Sequence, residues 1–262
     1  MTLPEVPGVS VIREGAITTV ILARPGQYNS ISYVMWLGLR DLFVALGTDP
    51  DLRGVVLTGA GGCFSSGADI ADFEQTRATP EQGVTYEVAV DEACNAIANL
   101  GCPVIAAIEG YCYGGACNLA MASDFRFVAD SAKFSIPAAK LSIVYSPRGM
   151  ARLVALVGLT EAKRIFYTAQ PFNAAAALKN GFADELHADP VAAARAWLAD
   201  IAHLAPLSIA GSKAILNMIA MPEQAYDPAL AHAVTWRALT SHDYAEGRAA
   251  FAAKRPPQFK GA

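Results

Sequence analysis

The stretch Gly110 to Asp124, GYCYGGACNLAMASD, decides how the rest of the sequence is interpreted. It follows the apolar run Pro103 to Ile108 and places Gly114 and Gly115 directly before a helix-length segment of small apolar residues. This pattern predicts a strand, a tight turn and a helix N-terminus. The first turn of a helix presents free N–H groups and the positive end of its dipole. The stretch therefore predicts a place where an oxygen atom that carries negative charge is held.

A second glycine-rich turn, Gly59 to Asp69 (GAGGCFSSGAD), follows the predicted buried strand Leu52 to Thr58. A dinucleotide-binding motif is excluded because Phe64 stands where that motif requires glycine or alanine. Neither loop ends in the Gly-Lys-Ser/Thr sequence of a nucleotide phosphate loop. Taken alone, each loop is also compatible with a tight connection that has no functional role.

Composition limits the class of protein. The chain has 262 residues, of which 53% are hydrophobic, enough for one large or two small globular domains. A net charge of −4 with scattered Lys and Arg argues against nucleic-acid binding. The chain begins without a recognisable signal peptide and has no apolar run long enough to cross a membrane, which predicts a cytoplasmic protein without a membrane partner.

The cysteines and histidines indicate no metal site and no disulfide framework. Five cysteines is an odd number, none forms a CxxC pair, and all lie in apolar runs. This usage predicts reduced core thiols. The four histidines lack metal-ligand spacing with them.

Strand and helix patterns alternate up to about residue 190, and the remainder is helical, which predicts an α/β core followed by a helical lobe. Strand-strand-helix order at the start and around residues 100 to 136 predicts a repeated unit rather than a doubly wound sheet. A helix is predicted over Val84 to Leu100, after the polar segment Glu74 to Gln82.

At the two glycine loops the chain resembles the crotonase superfamily, the enoyl-CoA hydratases and isomerases. The matching segments are CFSSGADI (Cys63–Ile70), PVIAAIEGYCYGGACNLAMASDFRFVADSAKF (Pro103–Phe134) and AFAAKRPPQFKG (Ala250–Gly261), with weaker matches at LARPGQYNSIS near the start and FNAAAALKNGFADEL (Phe172–Leu186). The resemblance implies a crotonase-like α/β spiral of ββα units over residues 1–195. It further implies a helical oligomerisation lobe over residues 196–262, and a homotrimer or dimer of trimers.

The resemblance also implies an acyl-CoA thioester as the substrate, with coenzyme A as part of that substrate and no separate cofactor. The backbone N–H groups of Ala68 and Gly115 match the family positions that hold the thioester oxygen as it becomes an enolate. Fixed amide dipoles stabilise such an oxygen without help from a side chain. The positions implied to bind the CoA portion are Ser66, Ala68, Asp69, Ile70, Gly114, Phe251 and Lys254. Of these, Asp69 matches a family position that mainly braces the loop, and Phe251 and Lys254 match positions that reach the CoA of a neighbouring subunit. A solvated lysine at a helix end explains Lys254 nearly as well.

Two positions depart from the hydratase pattern. Hydratases of this family use two glutamates around a water molecule, and the matching positions here are Asn118 and Ala138. Neither side chain exchanges a proton near neutral pH. The sequence therefore argues against hydration by the two-glutamate mechanism.

Tyr145 is a candidate proton donor or orienting group. It coincides with a tyrosine of the methylmalonyl-CoA decarboxylase branch of the family, at the same interval from Phe134. That branch has different residues where this chain has Ala68 and Pro137. An aromatic side chain that merely lines the acyl pocket explains Tyr145 equally well.

The other candidates for the substrate pocket have alternative roles. Asn118, Ala138, Leu141 and Arg148 match the pocket region, and Arg148 suits either a substrate carboxylate or the protein surface. Four acidic residues flank the same region, and one of them is a candidate base, although a solvated helix face is the simpler interpretation. These residues are Glu74, Glu87, Asp91 and Glu92.

Three functions stay open at this point. The first is a lyase or isomerase that acts on an acyl-CoA through an enolate held by Ala68 and Gly115. The second is a non-catalytic acyl-CoA binding or carrier protein, because both hydratase carboxylates are absent. The third is a decarboxylase of a malonyl-type acyl-CoA, because of Tyr145.

Overall fold

The computed structural model describes residues 3–221 and 228–259. The strands are β1 (Val9–Glu14), β2 (Ile17–Leu22), β3 (Gly54–Gly59), β4 (Val104–Ile108), β5 (Tyr111–Tyr113), β6 (Phe125–Val128), β7 (Lys133–Ser135), β8 (Phe172–Asn173) and β9 (Glu185–Leu186). The helices are α1 (Tyr33–Leu46), α2 (Phe73–Thr76), α3 (Pro80–Ala98), α4 (Gly115–Ala122), α5 (Pro147–Thr168), α6 (Ala174–Asn180), α7 (Pro190–Ile201), α8 (Pro206–Ala220), α9 (Pro228–Leu239) and α10 (His242–Ala252).

Two sheets organise the core. Six strands form the larger sheet in the order β1-β2-β3-β4-β6-β9, parallel except for the hairpin of β1 and β2. The smaller sheet has the order β5-β7-β8. Consecutive repeats place their first strand in the larger sheet and their second in the smaller one, as in β4-β5-α4 and β6-β7-α5. This arrangement confirms the predicted α/β class.

The central strands β3 and β4 are buried on both faces, which explains their unbroken apolar sequences. One face packs against α1, α3 and α4. The other face contacts α7, where Val56, Ile105 and Phe127 pack with Ala194 and Leu198. The sheet therefore lies between two helical layers, and its strand ends carry the loops that follow.

The C-terminal third of the described chain has two kinds of packing. Helix α7 packs on the sheet, and the predicted domain boundary between residues 195 and 196 falls inside it; the division into two domains stays a prediction. Helix α8 has no fully buried residue. Helix α9 returns to α3, where Leu239 contacts Gly83, and α10 packs against α9.

Several boundaries differ from the sequence-based expectation. Helix α3 begins at Pro80 rather than Val84, because Thr79 and Gln82 form a reciprocal capping box inside the segment expected to be irregular. The short strand β8 was not predicted. Gly158, with φ of 76°, separates α5 into two helical segments, close to the two helices Met150 to Val157 and Thr160 to Ala169 that the apolar pattern predicts. The last residues of the family match, Lys260 and Gly261, lie outside the described residues.

No helix in the described ranges combines the length and the apolar character needed to cross a membrane. All five cysteines are buried free thiols.

Candidate active site

The two glycine loops lie side by side. The Ser65 N–H donates to the Tyr111 carbonyl oxygen at 2.8 Å, and the Tyr113 N–H donates to the Ser65 carbonyl oxygen at 3.1 Å. Gly67, with φ of 95°, sits in the closest part of this contact, because a Cβ atom there would lie 2.3 Å from the Tyr113 carbonyl oxygen. Only glycine allows the two backbones to approach this closely.

Two backbone N–H groups are left free where the loops meet. Among the described residues, neither the Ala68 N–H nor the Gly115 N–H has a hydrogen-bond acceptor. Gly115 is the first residue of α4, where N–H groups have no partner within the helix. A Cβ atom on Gly115 would lie 3.5 Å from the Ala68 nitrogen, so the two donors are neighbours. One oxygen atom that carries negative charge suits both donors at once.

Side chains outside the loops hold them in place. The Asn29 side-chain amide donates to the carbonyl oxygens of Ala60 at 2.8 Å and Cys63 at 2.6 Å. Asp69 pairs with the Arg24 guanidinium at 2.8 Å, and its other oxygen accepts the Ala71 N–H. The donors are therefore rigid before any ligand arrives, which is the property that makes backbone dipoles effective.

A small cavity of about 60 Å³ opens next to Gly115, one of these two donors. One wall is the turn between β5 and α4, and the opposite wall is the inner face of α3. Its lining consists of Arg77, Tyr86, Glu87, Val90, Gly114, Gly115, Asn118, Pro137, Ala138, Leu141, Ile143 and Tyr145.

Tyr145 brings its hydroxyl group to the glycine turn. A Cβ atom on Gly114 would lie 3.8 Å from the Tyr145 hydroxyl oxygen. The ring is buried and meets Phe166 edge to face, with 5.3 Å between centroids. Burial raises the pKa of Tyr145 well above its usual value, and the neighbouring Cys117 and Glu87 raise it further. The phenol therefore stays neutral and can donate a hydrogen bond, but it is a poor base.

An ion pair forms part of the opposite wall. Arg77 Nη2 lies 2.9 Å from Glu87 Oε1, and the exposed fractions of the two side chains are only 4% and 17%. The guanidinium lies over the rings of Phe73 and Tyr86, at 4.9 and 4.8 Å from their centroids. Burial raises the pKa of the Glu87 carboxyl, and the Arg77 charge opposes that rise. Interpreting this carboxylate as part of a solvated face is wrong, because packing closes the face that carries it.

Asn118 contributes a buried polar atom to the cavity. The residue is 7% exposed, and its Oδ1 atom has no hydrogen-bond donor among the described residues. A buried acceptor without a donor is costly, by about 1–3 kcal/mol. The position therefore suits a hydroxyl or N–H group of a bound molecule. Ala138 and Leu141 add apolar surface beside it.

Several predicted residues do not line this cavity. Ser66 donates its N–H to the Tyr28 carbonyl oxygen, and Arg148 is exposed. The remaining ones are Ala68, Asp69, Ile70, Phe251 and Lys254. The Ala68 nitrogen nevertheless lies next to the lining, because it would be 3.5 Å from a Cβ atom on Gly115.

Helix α10 packs against its own chain, and the implied contact of Phe251 and Lys254 with the CoA of a neighbouring subunit stays a prediction. Gly247 of this helix packs against the backbone of Leu141 in the same chain, and Arg248 donates to the Arg77 carbonyl oxygen at 3.0 Å. Helix α10 thus supports the cavity of its own chain, while Phe251 and Lys254 at its end are exposed.

Sequence reasoning missed Arg77 and undervalued Glu87. A signal for Glu87 was present, because it lies four residues after Gly83 and three before Val90, both on the buried face of α3. Arg77 precedes the helix and carries no such periodic signal. The aromatic support was missed as well: Trp36 donates its indole N–H to the Tyr86 hydroxyl at 2.9 Å.

A second, larger cavity of about 570 Å³ lies between α5, α7 and α8. It is lined by Trp197 and Leu216 and by the Lys213–Asp124 ion pair, whose atoms are 2.7 Å apart. Neither Ala68 nor Gly115 borders it, so the larger volume is not the one next to the free donors.

A family model described as Enoyl-CoA hydratase/isomerase matches residues 13–262. The chain belongs to this family. The probable enoyl-CoA hydratase echA6 of Mycobacterium bovis is 32% identical over 255 residues, which cover 97% of this chain and 100% of the relative. Carnitinyl-CoA dehydratase of Shigella flexneri is 35% identical over 259 residues, covering 95% of this chain and 97% of the relative.

Solved structures agree with this assignment. Methylmalonyl-CoA decarboxylase complexed with 2S-carboxypropyl CoA is 25% identical, with a TM-score of 0.86 and 100% coverage of both chains. The predicted crotonase superfamily membership and crotonase-like fold are confirmed.

Proposed function

We propose that this member of the enoyl-CoA hydratase/isomerase family is a lyase or isomerase that acts on an acyl-CoA through an enolate. The observation that carries the proposal is the pair of neighbouring free N–H groups at Ala68 and Gly115. A thioester oxygen bound there gains two hydrogen bonds that strengthen as charge develops on it. Removing one donor from such a pair typically slows a reaction about 10²–10³-fold.

The size of the cavity supports a short acyl group. A cavity of about 60 Å³ accommodates roughly four to six water-sized groups, since one water requires about 10–15 Å³ on this scale. The CoA portion would extend past the loop that carries Ser66, Asp69 and Ile70, which lies outside the cavity.

Hydration by two glutamates is not supported by the site. Asn118 and Ala138 line the cavity at the matching positions, and neither exchanges a proton near neutral pH. We propose that the Tyr145 hydroxyl, which lies beside Gly114, orients the substrate by donating a hydrogen bond to it, with donation of a proton as the alternative.

Two alternatives have observations in their favour. A malonyl-type acyl-CoA decarboxylase is favoured by Tyr145 and by the structural similarity to methylmalonyl-CoA decarboxylase. Loss of carbon dioxide leaves an enolate that the same two N–H groups would stabilise. A non-catalytic acyl-CoA carrier is favoured by the absence of carboxylates at Asn118 and Ala138.

A homotrimer or dimer of trimers is part of the proposal. Helix α8 supports it, because it exposes large apolar residues such as Leu207 (87%) and Ile219 (67%) that a partner subunit would cover. We further propose cytoplasmic location and no cofactor beyond the CoA of the substrate.

Mass spectrometry of a mixed acyl-CoA pool tests the function. The pool contains 2-enoyl, 3-enoyl and malonyl-type thioesters, and free and protein-retained fractions are analysed separately. Migration of a double bond supports the isomerase, and loss of carbon dioxide supports the decarboxylase. Retention without turnover supports the carrier. If the wild type adds water to an enoyl-CoA faster than a Gly115 variant does, the protein is a hydratase and the argument against hydration is wrong.

A further inference from the structure

Building on the proposed enolate chemistry, we propose that Glu87 is the acid–base residue of the site and that Arg77 positions its carboxylate. Glu87 lines the same cavity as Gly114 and Gly115, across from the glycine turn. It takes the place of the two glutamates that are absent at Asn118 and Ala138, from a different element of the fold.

The ion pair gives the carboxylate a defined position. Arg77 is 4% exposed and is held between the rings of Phe73 and Tyr86. Arg248 of α10 fixes the Arg77 backbone by donating to its carbonyl oxygen. A carboxylate tied to so rigid a cation keeps one oxygen on the guanidinium and leaves the other for a substrate.

The other polar groups of the cavity are poor candidates for proton transfer. Asn118 does not titrate, and Tyr145 holds its proton more tightly than an exposed tyrosine because of burial. Asp91 accepts the Ser146 hydroxyl at 2.6 Å and does not line the cavity. Among the cavity-lining residues of the described chain, Glu87 is thus the one that carries a carboxylate, the kind of side chain that serves as a general base.

The proposed step is balanced without a further reactant. The Glu87 carboxylate removes a proton from the carbon next to the thioester carbonyl, and the electron pair of that C–H bond forms the enolate. The enolate oxygen is held by the N–H groups of Ala68 and Gly115. Return of a proton from the Glu87 carboxyl restores a thioester, and exchange of that carboxyl with solvent exchanges the hydrogen on the carbon.

Deuterium uptake by butyryl-CoA, measured after incubation with the protein in deuterium oxide, tests this step separately from later ones. The saturated chain has no double bond to move and no carboxylate to lose, so deuterium uptake reports enolate formation alone. The full-length wild-type protein is expected to catalyse uptake. Glu87→Gln should slow it by about 10²-fold or more while still binding butyryl-CoA. Glu92→Gln is the matched control, because Glu92 lies on the same helix and pairs with Arg40 outside the cavity.

A double variant separates the loss of the Glu87 carboxylate from destabilisation of the fold. Glu87→Gln alone leaves the buried Arg77 charge unpaired, whereas Arg77→Met with Glu87→Gln removes both charges. This double variant should fold and should also lack exchange. Equal exchange rates in the wild type and in folded Glu87 variants overturn the assignment of Glu87 and leave the proposed enolate chemistry intact. Absence of exchange in the wild type overturns both.

The pH profile tests the positioning role of Arg77. The titratable groups around the ion pair are Tyr86, Asp91, Cys94, Tyr145, Tyr244 and Arg248. Among the groups that act directly on Glu87, Arg77 lowers its pKa and Asp91 raises it. Exchange requires the carboxylate, so the rate rises with pH through the pKa of Glu87. Arg77→Gln removes the lowering charge and should move that rise to higher pH. An unchanged profile in the folded variant would overturn the positioning role.

Discussion

The two walls of the small cavity are built by different means. The glycine-turn wall presents the backbone N–H group of Gly115, with that of Ala68 beside it, and its geometry depends on hydrogen bonds between two adjacent loops. The α3 wall presents side chains, the Arg77–Glu87 pair, brought together by the packing of α2, α3 and α10. The first wall can stabilise charge but cannot carry a proton. The second wall can carry a proton. Under the proposal, the glycine turn therefore stabilises the enolate and the α3 wall transfers the proton.

The largest effect concerns the stability of the α3 wall. Glu87→Ala leaves the Arg77 charge buried without a partner and should lower the free energy of unfolding by about 3–5 kcal/mol. Urea denaturation of the two proteins measures this difference. A loss below about 1 kcal/mol, as typical for exposed pairs, would mean that the pair is as solvated as a surface pair.

The next effect tests the glycine-turn wall. Gly115→Pro removes the N–H donor at the first position of α4, where proline is otherwise tolerated. Exchange of butyryl-CoA should fall about 10²–10³-fold relative to Gly115→Ala. Alanine is the matched control, because it adds the same Cβ atom 2.9 Å from the Trp36 ring but keeps the N–H group. Equal activity of the two folded variants would exclude Gly115 as a donor.

A smaller effect is expected at Tyr145, which lies between the two walls. Tyr145→Phe removes one neutral hydrogen-bond donor, so exchange should slow by about two- to tenfold. The ring and its contact with Phe166 remain, which preserves the packing. A loss of about 10²-fold or more would instead assign proton transfer to Tyr145.

The smallest effect is expected on the outer face of α3. Glu92→Ala breaks the ion pair with Arg40, in which the exposed fractions of the two side chains are 46% and 35%. Unfolding free energy should change by less than about 1 kcal/mol. Thermal denaturation in low and high salt checks this value. A loss comparable to that of Glu87→Ala would remove the contrast between the two faces of the helix.

Much of the fold was predictable because its signals are local. The hairpin of β1 and β2, the buried strands β3 and β4 and the break at Gly158 all follow from short apolar runs and from glycine. The start of α3 was misjudged because the capping box of Thr79 and Gln82 lies in a segment rich in polar residues. Strand β8 escaped prediction because two residues carry no periodic pattern.

The sequence by itself determined the two glycine loops, and its resemblance to the crotonase superfamily assigned the backbone donors to Ala68 and Gly115. Contiguous glycines encode both the turn and the close approach of the chains, so no distant contact is needed to recognise them. Only the tertiary structure decided which of the acidic residues faces the cavity. Glu87 and Glu92 are on one helix, and their surroundings depend on where Arg77, Tyr145 and α10 pack. Burial and pairing are properties of the packed fold, and these properties control the proton affinity of a carboxylate.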